Sequence, residues 1–172
     1  MVTDEVNVLL KELSDRMRRL LRSAEYCMGQ LNDEHVWYRA HPCDNAIGNL
    51  VLHLVGNLRQ WVLGGIDGQP DTRNRAAEFS ATQGKSKDEL TRILRETIEE
   101  SCRVIESLPT ERITEARHIQ DTDTTVAYAL VMAVSHLGVH VGQVQFIAKG
   151  LLQEAYKESW TPPQNTGQKG SG

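Results

Sequence analysis

Cysteine, proline and aromatic residues are all scarce in this chain of 172 residues, and each scarcity removes a class of protein. The three cysteines, Cys27, Cys43 and Cys102, are odd in number, far apart and without a CxxC pair. They offer neither a zinc ribbon nor a disulfide framework. Cys43 follows His41-Pro42, but no ordered base can be placed beside it, which argues against a catalytic thiol. Prolines number five, and alternating runs of β-branched and polar residues are nearly missing, so a sandwich or barrel is not indicated. There is no basic run either. Lys+Arg total 19 against Asp+Glu 23, a net charge of −4, which is a poor match to a nucleic-acid binder held by phosphate contacts. Apolar stretches are interrupted well before 18 residues, so no transmembrane helix is expected. The opening MVTDEVNVLL carries acids where a signal peptide needs a basic start and an apolar core, which makes the cytosol the expected compartment.

What the chain does have is helical periodicity. Hydrophobic residues make up 40% of it, enough at this length for one domain with a sizeable core. From Val6 to Leu31, apolar residues recur at steps of three and four (Leu9, Leu10, Leu13, Met17, Leu20, Leu21, Met28), as an amphipathic helix requires. A second helix runs from a cap at Asp44 or Asn45 to about Leu63, stopped by Gly64-Gly65. Residues 64–85 are polar and turn-rich, a long connection. Ser86 followed by Glu89 forms a capping box for a third helix ending at Pro109. Thr124 or Thr125 opens a fourth, apolar almost all round, to about Leu152. Four helices of this length predict an all-α four-helix bundle over residues 1–154, with 155–172 a polar tail.

The chemistry concentrates on helices two and four. His136 and His140 stand i, i+4 on an otherwise apolar helix, with Cβ atoms roughly 5–6 Å apart on one face. That spacing lets two imidazoles hold one metal ion. His53 lies mid-way along helix two among apolar neighbours and is the natural third ligand. Three neutral imidazoles leave an ion dipositive with an open position, as in catalytic zinc sites, and the same donors accept nickel or iron(II), since imidazole discriminates poorly among these ions. Asn49, Asn57 and Gln60 lie at −4, +4 and +7 from His53, and Gln143 at +3 from His140, a polar line able to orient the rings. Tyr26 and Trp61 are candidate pocket walls. His35, His41 and His118 fall in connections and read as surface residues.

Other look-alikes fail. Gly84-Lys85-Ser86 ends like a phosphate loop, yet Phe79 stands where the first glycine belongs. Asp121-Thr-Asp123 opens like a calcium loop but has Val126 at the turn glycine, and capping helix four is its expected role. His136 to His140 reads HLGVH, without the glutamate of the HExxH metalloproteases.

Three segments, NLVLHLVGNLRQW (49–61), GGIDGQPDTRNRAAEF (64–79) and SHLGVHVGQVQFIAKGL (135–151), resemble the DinB-like superfamily, in particular an uncharacterised bacterial branch of it. The resemblance covers about residues 5–152. It implies a bundle in up-up-down-down order with a long crossover, a homodimer, and a divalent metal on His53, His136 and His140. Characterised relatives are S-transferases and isomerases that use low-molecular-weight thiols, and some are hydrolases. The expectation is therefore a metal-dependent enzyme that activates a thiol toward an electrophilic small molecule, or a metal-bound water. Arg73 and Arg75 in the long connection are candidate clamps for a carboxylate of cofactor or substrate, against the alternative of pairing with Glu78 and Asp71. No carboxylate base stands beside the three histidines in sequence, which keeps a non-enzymatic metal- or ligand-binding sensor in view. Gly138 and Gly142 on helix four, and Gly48 and Gly56 on helix two, point to close backbone approaches within the bundle or across a dimer.

Overall fold

The computed structural model describes residues 2–158. Four long helices form the bundle: α1 (Val2–Met28), α3 (Ile47–Leu58, prolonged by a π-helical turn over Arg59–Gly64), α5 (Lys87–Glu106) and α6 (Val126–Leu152). Two short helices, α2 (Asp33–Trp37) and α4 (Arg75–Ser80), occupy the connections on either side of α3. Each of α1 and α3 packs against both α5 and α6. One continuous core results, with Met17, Leu54, Leu58, Leu94, Ile98, Leu130 and Leu137 almost wholly buried. At about 1.5–3 kcal/mol per buried aliphatic side chain, these stripes hold the fold.

The helix directions correct one expectation. Along α1, Arg18 meets Glu99, Glu25 meets Arg95 and Met28 meets Thr91, so α1 and α5 are antiparallel. Leu20 lies by Gly138 and Ser23 bonds Gln145, so α1 and α6 are parallel. His53 meets His136 and Trp61 meets Tyr128, so α3 opposes α6. The order is thus up, down, down, up, rather than up-up-down-down. The long crossover does join the second and third long helices, as expected. The segment between α1 and α3 is long enough for either direction, and nothing in its sequence fixes the choice.

The termini of the helices follow local chemistry. Ser86 and Glu89 exchange bonds at the start of α5, Glu89 N–H to Ser86 Oγ (3.2 Å) and Ser86 N–H to Glu89 Oε2 (2.8 Å). Thr125 Oγ1 caps α6 by accepting from Tyr128 N–H. At α3 the cap is not Asp44 or Asn45. The helix begins after Ala46, whose N–H donates to Asn49 Oδ1 (3.0 Å), while Asp44 accepts from His41 N–H in its own loop. Asp121-Thr-Asp123 does not cap α6 either. It belongs to an antiparallel hairpin, β1 (Ala116–Ile119) and β2 (Thr122–Thr125), turned through Gln120 and Asp121 at φ 51° and 59°.

By length and composition α6 could cross a membrane, with mean hydropathy 1.4 over its apolar window, contrary to the expectation of no such helix. Here its inner face is bundle core, with Ala129, Leu130, Ala133, Leu137, Val141 and Val144 buried. The polar tail expected at 155–172 begins by packing. Tyr156 Oη meets Cys27 Sγ (3.2 Å), and Lys157 N–H donates to Gln30 Oε1 (2.8 Å). Beyond 158 that expectation lies outside the described residues.

Candidate metal centre

The antiparallel contact of α3 and α6 brings His53, His136 and His140 together, with one ligand atom from each inside a 4.8 Å cluster. Ring centroids are 4.4–5.0 Å apart and steeply inclined to one another. His53 Nε2 and His136 Nε2 face each other at 2.9 Å. Two lone pairs cannot rest at that separation, so a shared proton or a cation must lie between them. His53 is buried, whereas His136 and His140 are half-buried on the outer edge of α6. Among the described residues no fourth His, Cys, Asp or Glu joins the cluster, which leaves the outer side open.

Two of the Nδ1 atoms, those of His53 and His140, are held from behind. His140 Nδ1 lies 2.6 Å from Gln143 Oε1, an acceptor, so this ring carries its proton on Nδ1 and turns Nε2 inward. His53 Nδ1 lies 3.0 Å from Glu78 Oε2 and also 3.0 Å from Arg73 Nη2. A ring nitrogen either donates or accepts, so the two contacts serve different tautomers. With the proton on Nδ1 donated to Glu78, Nε2 is free to bind a metal ion. With Nδ1 accepting from Arg73, Nε2–H points at His136 and the pair is satisfied by one hydrogen bond. The donor set therefore fits a metal held by three imidazoles. Burial pushes the imidazolium form of His53 below its ordinary pKa, and burial with the neighbouring histidines takes His136 down to about 4. Both rings are neutral near pH 7, as metal ligation requires.

Glu78 and Arg73 come from the crossover. Arg73 Nε donates to Glu78 Oε1 (2.7 Å), Arg73 Nη2 to Glu78 Oε2 (2.9 Å) and Arg73 Nη1 to Gln60 Oε1 (2.9 Å). The ion pair is buried, its side chains only 4% and 8% exposed. Gln60 in turn donates to Asp71 Oδ2, and Asp71 Oδ1 accepts the Arg73 N–H. Helix α4 is too short to be stable alone. Asn49 pins it to α3, its Nδ2 donating to Glu78 O (2.9 Å) and Ala81 O (2.7 Å). Gly56 explains how a carboxylate can lie so close to α3. A Cβ there would overlap Glu78 Oε1 and stand 2.9 Å from its Cδ and 3.0 Å from Arg73 Nε.

The profile of the family described as "Protein of unknown function (DUF1572)" matches residues 4–165. The chain belongs to this family. Among solved structures it is similar to a DinB-like protein from Bacillus cereus ATCC 10987, at 14% identity and a TM-score of 0.62. The match covers 77% of this chain and 85% of that one, and the shared feature is the fold. A search of curated proteins finds no match. This DUF1572 chain is thus an all-α bundle of DinB-like fold, with three histidines placed to hold a metal ion.

The remaining expected residues fall as follows. Gln143 stands against His140. Asn49 and Gln60 hold the crossover rather than the rings. Asn57 is buried with its Oδ1 unpaired. Arg73 is engaged by Glu78, and Arg75 lies over the Phe79 ring (5.1 Å to its centroid). Tyr26 is on α1 beside Glu158, away from the histidines, and Trp61 bonds Gln120 on the hairpin. Sequence reasoning missed two residues of this DUF1572 site. Glu78, expected only as an ion-pair partner in the crossover, does pair with Arg73 but also stands 3.0 Å from His53 Nδ1. Phe79, 4.8 Å from His53 between ring centroids, is the aromatic wall. Two signals pointed there: an interior glycine one turn after His53, and Asn74, which caps α4 by accepting from Ala77 N–H.

Proposed function

We propose that this protein is a metal-dependent enzyme that joins a low-molecular-weight thiol to an electrophilic small molecule, with His53, His136 and His140 as ligands. The reading is supported chiefly by one observation: two of the three rings have Nδ1 tied to an acceptor, Glu78 or Gln143, which aims Nε2 into a common space. A divalent ion held there by the three histidines, zinc, nickel or iron(II), would supply Lewis acidity that lowers the pKa of a bound thiol or water. The chain's own groups do the rest. Glu78 fixes the His53 tautomer, Arg73 holds the Glu78 carboxylate in place through two hydrogen bonds, Phe79 excludes water from one side, and the open side admits substrate. Three protein ligands with an open position characterise catalytic rather than closed structural metal sites. In the reaction the thiolate sulfur forms a bond to carbon, a halide or similar group leaves with the C–X electron pair, and the thiol proton passes to solvent.

The protein is also proposed to be a homodimer through the outer face of α6. Val131, Val139 and Phe146 there are 60%, 60% and 80% exposed, and a Cβ at Gly142 would meet nothing within 4 Å. Exposed apolar side chains of this kind along a helix commonly mark an interface.

Elemental analysis of protein purified without a polyhistidine tag tests the metal site, with a single ion per chain expected and its loss in His136→Ala. Metal-loaded protein is then assayed with cysteine, glutathione and bacillithiol against 1-chloro-2,4-dinitrobenzene and monobromobimane. Bound metal with no acceleration of any thiol, and none of ester hydrolysis, would favour a non-enzymatic metal-binding role instead.

A further inference from the structure

Next to the histidines runs a cleft of about 390 Å³, within the size range of small-molecule sites. Leu50, one turn before His53, and Ile147, seven residues or about 10 Å beyond His140, give it an apolar floor. Gln143, which holds His140, lies on its wall, so the cleft and the metal centre share a side chain. On its wall stands Arg39. This guanidinium is half-buried, and its hydrogen bonds all leave from Nη2, to Asn49 Oδ1 (2.8 Å), Ala81 O (2.7 Å) and Phe79 O (3.3 Å). All three acceptors are neutral. Arg39 Nε is buried without a partner, and among the described residues no carboxylate pairs with this charge. Asp44, also on the cleft wall, is engaged by the N–H of His41. A part-buried guanidinium with no ion-pair partner among the described residues, on the wall of an apolar trough, is arranged for an anion.

We propose that this cleft receives the apolar part of a carboxylate-bearing substrate, with the carboxylate on Arg39 and the chain along Leu50 and Ile147. The inference rests on the proposed function only in treating the cleft as part of the substrate site. Its test needs no metal. Hexanoate and hexanamide are titrated against the full chain by ligand-observed NMR, in the wild type, Gly150→Phe and Arg39→Gln. Gly150 lines the cleft, and a Cβ there meets nothing within 4 Å, so the phenyl group fills the trough without disturbing the fold. Hexanoate is expected to bind at least tenfold more tightly than hexanamide. Gly150→Phe should abolish binding of both, and Arg39→Gln should erase the preference. Equal affinities in the wild type, no hexanoate binding, or binding undiminished in Gly150→Phe would overturn the proposal. Failure of metal binding in the elemental analysis would instead remove the enzymatic reading and leave this result standing.

Discussion

Replacing Gly56 by alanine should destabilise this protein, although helix propensity argues the opposite. Alanine is about 1 kcal/mol better than glycine inside a helix. At Gly56, however, the added methyl would occupy the space of Glu78 Oε1, with Glu78 Cδ at 2.9 Å and Arg73 Nε at 3.0 Å. Glu78 cannot simply swing away, because its carboxylate is buried and bonded to Arg73 and His53. Disrupting a buried ion pair costs about 3–5 kcal/mol, so the net loss should be about 2–4 kcal/mol. For a domain of this length that is a fall in Tm of roughly 4–16 °C. The assay is urea and thermal unfolding of metal-free protein followed by circular dichroism. A double-mutant cycle isolates the cause, since in a Glu78→Ala background Gly56→Ala should cost nothing. Stability equal to or above wild type in the single variant would refute the close approach of Glu78 to α3.

Other predictions follow from the same geometry. Glu78→Gln should weaken zinc affinity about 10–100-fold, because the amide is a poorer acceptor for His53 Nδ1–H, as read by competition with a chromophoric chelator; unchanged affinity would detach Glu78 from the site. Metal-free protein should lose stability as pH falls from about 6.5 toward 4, because burial holds His53 and His136 below the ordinary histidine pKa and the unfolded chain then binds more protons; melts at pH 7.5 and 5 check the sign. Light scattering should give about twice the 19.3 kDa of one chain, and Val139→Glu should return it to the monomer mass, whereas a wild-type monomer at micromolar concentration would reject the α6 interface.

The parts of this molecule legible in its sequence are those set by local periodicity. The four apolar stripes, the Ser86–Glu89 box and the His136–His140 spacing each depend on residues within one or two turns of each other. His53 was legible as well, since a lone histidine among apolar neighbours needs a partner. The hairpin was not. Its strands are four residues each, and Gln120-Asp121 takes the left-handed turn usually given to Asn-Gly, so the strongest hairpin signal is missing. Glu78 was hidden for another reason. It stands 25 residues from His53 in sequence, on a six-residue helix that only tertiary bonds stabilise. The glycines divide likewise. Gly48 admits the Trp37 ring (2.6 Å from an added Cβ) and Gly56 admits Glu78, whereas a Cβ at Gly138 would make only an ordinary contact with Leu20 (3.9 Å) and one at Gly142 would meet nothing within 4 Å, a difference no spacing rule reveals.

The buried Arg73–Glu78 pair is hard to justify as a source of stability. Replacing such a pair with well-packed apolar residues is often neutral or stabilising, because desolvation offsets the Coulomb attraction. Its placement behind His53 gives it a different role. A neutral imidazole can carry its proton on either nitrogen, and only one choice leaves Nε2 able to bind a cation. Glu78 accepts in that tautomer and Arg73 donates in the other, so the pair gives each state of His53 a partner. The arrangement works only while α4 stays against α3, and the bonds that keep it there come from Asn49 and Arg39 to the carbonyls of Glu78, Phe79 and Ala81. Arg39 also lines the cleft. The guanidinium that lines the cleft thus also holds the segment that carries the carboxylate behind His53.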